Sequence, residues 1–148
     1  MIAIDGVLNS DEFAKHCLET EGYDPFDCDD LDPRALRNLK YIVEETGAKI
    51  VLSSSWRWDE KALAAVKKQL KSYNLELFDT TIMDIMSTMS RTAEIQHYLN
   101  EHPSITKYVI LDDDEIKEPL KTHWVRCLFK NGLTRKLAEQ AIEILKEK

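Results

Sequence analysis

The sequence has few cysteines, glycines and prolines. Its 148 residues include three cysteines, four glycines and four prolines. An odd number of widely separated cysteines without CxxC spacing indicates neither a disulfide framework nor a zinc site. Cys17, Cys28 and Cys127 are therefore expected to be ordinary small core or surface residues. Because no linker, repeat or low-complexity tract divides the chain, we expect a single domain over residues 1–148.

Long apolar runs and an excess of basic residues are also missing. No apolar run approaches the roughly 20 residues that a membrane span needs, and no basic region followed by an apolar signal segment opens the sequence. These features predict a cytoplasmic protein without a membrane partner. Lys and Arg number 20 against 27 Asp and Glu, a net charge of −7. This balance argues against an extended nucleic-acid footprint, although a local basic groove stays compatible with it.

Predicted strands alternate with predicted helices along the chain. Apolar runs predict strands at residues 1–4, 48–53, 107–111 and 123–129, with a weaker one at 75–82. Helices are predicted at about residues 11–19, 33–46, 60–73, 91–102 and after 134. Alternation of this kind favours a parallel sheet with right-handed crossovers. The sequence therefore predicts an α/β fold, a three-layer Rossmann-like parallel sheet with helices on both faces.

Acidic residues follow two of these predicted strands directly. Asp5 follows the run at residues 2–4, and Asp112, Asp113 and Asp114 follow the run at residues 108–111. In open α/β sheets the chemistry collects at the carboxyl ends of the strands. Because neighbouring carboxylates repel unless a cation or a proton intervenes, this arrangement favours a Mg²⁺ site. The alternative, a solvated acidic turn, applies more to Asp114 than to Asp112.

Three motifs together resemble a known superfamily. They are Ile-Ala-Ile-Asp-Gly-Val-Leu-Asn at residues 2–9, Ile-Val-Leu-Ser-Ser-Ser-Trp-Arg at 50–57 and Tyr-Val-Ile-Leu-Asp-Asp-Asp at 108–114. They resemble the haloacid dehalogenase-like (HAD) phosphohydrolases, most closely the small HAD domain of Swiss Army Knife RNA repair proteins. The first motif of that group reads Asp-x-Asp-Gly-Val-Leu-Asn. The resemblance implies a HAD-like fold with a minimal cap or none, and Mg²⁺-dependent hydrolysis of a phosphomonoester.

The resemblance assigns roles to the first and second motifs. Asp5 matches the general acid and base, whose backbone carbonyl is also a metal ligand in the family. Gly6 lets the chain turn away where a Cβ would obstruct the phosphate. Ser53, or Ser54 if the register shifts by one, matches the residue that offers a hydroxyl and backbone amides to a phosphate oxygen. Arg57 would place a cation beside them. Taken singly, each serine has an alternative interpretation as a cap or turn residue.

A basic residue between the second and the last of these motifs, and the acidic pair in the last one, complete the resemblance. Arg91 holds the position of the basic residue that neutralises the nucleophile and the phosphate, although a solvated side chain in the first turn of a helix is an equal alternative. Asp112 matches the residue that binds the metal directly. Asp113 matches the one that acts through water or orients other groups. Mg²⁺ is the cofactor that the resemblance implies, with Asp5, Asp112 and Asp113 as its ligands.

Ala3 occupies the position at which the family keeps its nucleophilic Asp. A methyl group can neither form an aspartyl-phosphate nor bind a metal ion, so this chain is expected to be nearly inactive by the family mechanism. Either the Ala was engineered into an enzyme, or it is native to a pseudo-phosphatase, or the register is shifted and Asp5 is the nucleophile. The last ranks lowest because it would put Val7 in the acid position.

The expected function is hydrolysis of a phosphomonoester on a nucleotide, another small molecule or a nucleic-acid end. The alternative is a noncatalytic HAD-fold module that binds phosphate, metal or another protein. The residue at position 3 of the parent sequence distinguishes them, because Asp there indicates an enzyme and Ala a binding module. The sequence gives neither the particular substrate nor the oligomeric state.

Overall fold

The computed structural model describes residues 7–25, 30–53, 60–81 and 90–147. Within these ranges the helices are α1 (Asp11–Thr20), α2 (Pro33–Thr46), α3 (Glu60–Lys71), α4 (Arg91–Glu101) and α5 (Arg135–Lys146). The strands are β1 (Ile50–Leu52), β2 (Leu77–Thr80), β3 (Ile110–Asp112) and β4 (Trp124–Arg126), and a 3₁₀ helix spans Lys121–His123. None of the helices in these ranges is long and apolar enough to cross a membrane.

Local capping explains where the helices begin. Four of them follow a residue whose side-chain oxygen accepts a hydrogen bond from a backbone N–H of the first turn: Ser10, Asp32, Ser90 and Thr134. Such caps satisfy N–H groups that have no partner inside the helix. Gly47 ends α2 in the left-handed region at a φ of 70°, where a Cβ is unfavourable. The predicted starts of these four helices and the predicted end of α2 at residue 46 are thereby confirmed.

The four strands form two parallel pairs. β1 pairs with β2, with Leu52 opposite Thr80, and β3 pairs with β4, with Asp112 opposite Arg126. Parallel pairs and intervening helices confirm the α/β class. The three-layer arrangement stays a prediction, and the predicted first strand at residues 1–4 lies outside the described residues.

The strand predicted at residues 123–129 is shorter than expected. Residues 121–123 form the 3₁₀ helix, and the backbone of Leu128 bridges antiparallel to Gly132 just after β4. This tight turn ends the ladder after Arg126. The run at residues 123–129 contains no turn-forming Gly, Pro, Asn or Asp. Asn131 and Gly132, which form the turn, come only after it.

Two apolar clusters hold these elements together. The larger one joins α2 and α5 to the strands, with Leu36, Leu52 and Ala138 among its buried members. The smaller one surrounds the start of β3 and consists of buried Ile95, Ile110, Ile116 and Leu120, with partly buried Leu99, Tyr108 and Trp124 against it. β3 therefore emerges from a packed apolar environment at its amino end and reaches acidic residues at its carboxyl end.

Backbone hydrogen bonds fix the segment that follows the first motif. The N–H of Leu133 donates to the carbonyl of Val7 at 2.8 Å, and the N–H of Asp32 donates to the carbonyl of Leu8 at 2.7 Å. Both residues 7 and 8 are buried. The starts of α2 and α5 thus position the chain immediately after Asp5 and Gly6.

Gly132→Ala should destabilise the protein far more than Gly47→Ala. Both glycines have a positive φ, 67° and 70°, which costs an Ala about 1–2 kcal/mol. A Cβ on Gly132 would also lie 2.8 Å from the carbonyl oxygen of Val7, whereas nothing lies within 4 Å of one on Gly47. Overpacking against fixed backbone adds about 1–3 kcal/mol. Urea unfolding of both variants measures the difference, and equal losses would show that Val7 moves aside freely.

Candidate active site

Asp112 is the buried carboxylate at the carboxyl end of β3. It follows the apolar residues Ile110 and Leu111, and its side chain has no exposed surface. A buried charge persists only where partners offset the lost hydration. The groups that contact Asp112 are therefore the ones that stabilise its carboxylate at the end of β3.

Each oxygen of Asp112 accepts a hydrogen bond. Oδ2 accepts from Nη1 of Arg91 at 2.6 Å, a charged pair, and Oδ1 accepts from the backbone N–H of Asp114 at 3.0 Å. The backbone carbonyl accepts from Nε1 of Trp124 and from the N–H of Cys127, both at 3.0 Å. Asp112 is thus fixed by four donors from three parts of the chain.

Arg91 faces this carboxylate rather than solvent. It is the first residue of α4, directly after the Ser90 cap, and only 20% of its side chain is exposed. Its Nε also lies 4.0 Å from Oε2 of the buried Glu94, one turn further along the helix. The two carboxylates hold the guanidinium at the acidic end of β3. Its role toward a phosphate stays a prediction.

Asp113 carries a perturbed carboxyl group. Partial burial, and then the nearby charge of Asp112, raise the pKa of Asp113 from 3.8 to about 6. Loss of hydration and a like charge both disfavour ionisation. Without a divalent cation, the charge of Asp112 thus disfavours ionisation of Asp113. A bound divalent cation would offset the repulsion between the two carboxylates.

The thiol of Cys127, which follows β4, is unreactive. Burial raises the pKa of Cys127 to about 12, and the charges of Asp112 and Asp113 add to the effect. Nucleophilic chemistry needs a thiolate. The side chain of Cys127 is therefore structural, in keeping with the sequence interpretation, as is the buried Cys17.

Ser53 follows β1 and is completely buried. Beside it, the N–H of Thr81 donates to the carbonyl of Leu52 at 2.9 Å, so the ends of β1 and β2 lie together. Among the residues that the structure describes, Thr81 has a buried hydroxyl oxygen without a hydrogen-bond partner. Such a group costs about 1–3 kcal/mol. Ser53 and Thr81, each with a hydroxyl group, thus directly follow the carboxyl ends of β1 and β2.

Several predicted site residues lie outside the described residues. They are Ala3, Asp5, Gly6, Ser54 and Arg57. In the described part of the chain, no group of three His, Cys, Asp or Glu side chains forms a metal cluster. Asp112 and Asp113 supply the hard oxygen ligands that suit Mg²⁺, which is bound by one or two carboxylates and several waters. These two residues therefore fit a Mg²⁺ site.

Sequence reasoning missed the side chains that support this site. Trp124, Glu94 and Thr81 were not among the predicted site residues. Glu94 could have been found from its spacing of three residues from Arg91 on a helix, which allows the two side chains to meet. Trp124 and Thr81 offered no such local signal.

The parallel strand pairs and the acidic pair at the end of β3 agree with the α/β fold expected of a HAD-like domain. Comparison with protein families matches residues 1–138 to the HAD domain in Swiss Army Knife RNA repair proteins, and the chain belongs to this family. The resemblance found in the motifs is thereby confirmed. Comparisons with curated proteins and with solved structures return no match.

Asp113→Asn should stabilise the protein at high pH only. With a native pKa of about 6 against 3.8 unfolded, the native state binds more protons between these values, so stability falls as pH rises through this window. Removing the charge should therefore raise Tm at pH 8 in EDTA and change it little at pH 4. The exposed Asp114→Asn is the matched control, with a smaller effect expected. Equal gains at both pH values would point to packing instead of charge.

Proposed function

We propose that this domain is a Mg²⁺-dependent phosphomonoesterase site whose turnover is disabled by Ala3. The observation that carries the proposal is the 2.6 Å contact between Arg91 and Asp112 in a chain of the HAD family. Residues from two different elements, 21 positions apart, converge at the carboxyl end of β3. A cation beside an acidic pair is what phosphoryl transfer needs around a charged phosphate.

Each residue of the proposed site has a definite task. Asp112 and Asp113 would hold Mg²⁺ together with Asp5. When bound, Mg²⁺ offsets charge on the phosphate oxygens and helps to orient the substrate. Arg91 neutralises negative charge between substrate and site, and Ser53 donates a hydrogen bond to a phosphate oxygen. With a carboxylate restored at position 3, Asp5 would protonate the leaving oxygen as that carboxylate attacks phosphorus, and would later take a proton from the water that hydrolyses the aspartyl-phosphate.

The proposed substrate is a phosphomonoester on a nucleotide, another small molecule or a nucleic-acid end. The family supports a polynucleotide end, because it is named for RNA repair proteins. The net charge of −7 favours contact with the terminal phosphate over a long backbone footprint. The short segments between the motifs leave no room for a sizeable cap domain, which suits a large substrate.

A noncatalytic module is the second candidate, and Ala3 favours it. The Arg91 and Asp112 pair would still recognise phosphate or metal after loss of the nucleophile. Phosphate binding without turnover is the expected property of the chain as it stands.

The test measures phosphate release by the Ala3→Asp chain from an aryl phosphate, a nucleoside monophosphate, and 5′- and 3′-phosphorylated oligonucleotides. Each is assayed with Mg²⁺ and with EDTA, and Asp5→Asn in the same background is the matched control. We expect Mg²⁺-dependent release from at least one substrate and loss of that release in the control. Binding of inorganic phosphate without any release would support the module, and neither binding nor release would contradict both functions.

A further inference from the structure

Trp124 makes a polar contact that packing does not require. Its indole Nε1 donates to the backbone carbonyl of Asp112 at 3.0 Å, although Trp124 itself lies opposite Ile110 in the pairing of β3 with β4. The indole therefore reaches along the strand to the residue that ends it. The same carbonyl already accepts the N–H of Cys127, so it has two donors.

The surroundings of Trp124 hold the indole in place. The ring packs against the cluster of Ile95, Ile110, Ile116 and Leu120, all buried. A side chain held by a packed apolar cluster loses little further freedom when it makes a hydrogen bond. The donor is thus rigidly attached to the core of the protein.

The carbonyl that Trp124 binds belongs to the peptide between Asp112 and Asp113. Its orientation therefore sets the direction in which the chain leaves β3 and carries the second carboxylate. The carboxylate of Asp112 is separately fixed by Arg91 and by the N–H of Asp114. Trp124 adds a side-chain contact to the backbone of this residue.

We propose that Trp124 is a positioning residue, whose indole N–H fixes the peptide between Asp112 and Asp113 in the orientation that binds Mg²⁺. The assignment rests on the proposed function, because it requires a metal site at this pair. Groups that orient metal ligands typically change metal affinity by about 10- to 100-fold when they are removed. Because Cys127 also donates to this carbonyl, we expect the loss of the indole donor to have an effect at the lower end of this range, about 10-fold.

The test is calorimetric titration of Mg²⁺ into the full chain and its Ala3→Asp version, each with and without Trp124→Phe. Phe retains an aromatic ring but removes both the donor and part of the volume of the indole, so a control for lost packing is needed. Ile116→Val is the matched control, because it removes one methylene from the same buried cluster and no hydrogen bond. We expect Trp124→Phe to weaken Mg²⁺ binding about tenfold. Ile116→Val should lower Tm and leave Mg²⁺ affinity unchanged.

A second readout separates positioning from general damage. In the Ala3→Asp chain, Trp124→Phe should raise the Mg²⁺ concentration needed for half-maximal phosphate release, with little change in kcat at saturating Mg²⁺. Unchanged Mg²⁺ affinity in Trp124→Phe, or an equal loss in Ile116→Val, would overturn the assignment while leaving the phosphatase proposal intact. Absence of Mg²⁺ binding in both parent chains would overturn the metal site itself.

Discussion

Replacing Ala3 by Asp should raise the rate of Mg²⁺-dependent aryl phosphate hydrolysis by about 10⁴-fold, which corresponds to about 5.5 kcal/mol of barrier. The substitution restores a carboxylate able to attack phosphorus and to bind the metal, two functions that a methyl group lacks. In the proposed site, the acidic pair and Arg91 supply the electrostatic part, and only the nucleophile is missing.

Ala3→Asn is the matched control for this gain. Its amide has nearly the size of the carboxylate and lacks the nucleophilic charge, so it should remain at the level of the unchanged chain. Adding Asp112→Asn to Ala3→Asp should abolish most of the gain. Turnover by the unchanged chain equal to that of Ala3→Asp would show that the nucleophile lies elsewhere. Inactivity of both would favour the binding module or a highly selective substrate.

Replacing Arg91 by Met should lower the free energy of unfolding by about 3–5 kcal/mol, the cost of leaving a buried charge without its partner. Asp112 has no exposed surface, and its Oδ2 would lose the 2.6 Å contact. Met retains most of the apolar stem of Arg, so lost packing contributes little. Urea denaturation at pH 8 measures the loss.

Two further variants isolate the electrostatic cause. In Arg91→Met combined with Asp112→Asn, the charge of Asp112 is removed together with that of its partner, so most of the stability should return. The part that does not return is assigned to the buried Glu94, which keeps its charge and loses its longer 4.0 Å contact with Arg91. Lys146→Met removes an exposed ion pair with Glu45 at 3.8 Å and should cost less than about 1 kcal/mol. A double variant as unstable as the single one would attribute the loss to packing around α4.

Helix positions were predictable because their signals are local. Ser90 and Thr134 cap helices through bonds to residues three positions away, and Gly47 ends α2 through its own backbone geometry. The end of β4 was not predictable in this way. It depends on the bridge between Leu128 and Gly132, whose turn residues, Asn131 and Gly132, follow the apolar run instead of interrupting it.

The site shows the same division between local and distant information. The motifs marked Arg91, Asp112 and Asp113 as residues of interest, but the contact between Arg91 and Asp112 joins residues 21 positions apart. The indole bond from Trp124 crosses between two strands and depends on their register. No spacing rule along the chain predicts such a bond.

The hydrogen bond from Leu133 to Val7 also constrains the order in which the protein can mature during synthesis. Its two partners are 126 positions apart, so every residue from 7 to 133 must be synthesised before the bond can form. Contacts of this separation form late because a large loop must close first. A nascent chain that has not reached α5 therefore lacks the hydrogen bond that holds Val7, the residue that follows Asp5 and Gly6 most closely. The proposed phosphate site should form only after Leu133 has been synthesised.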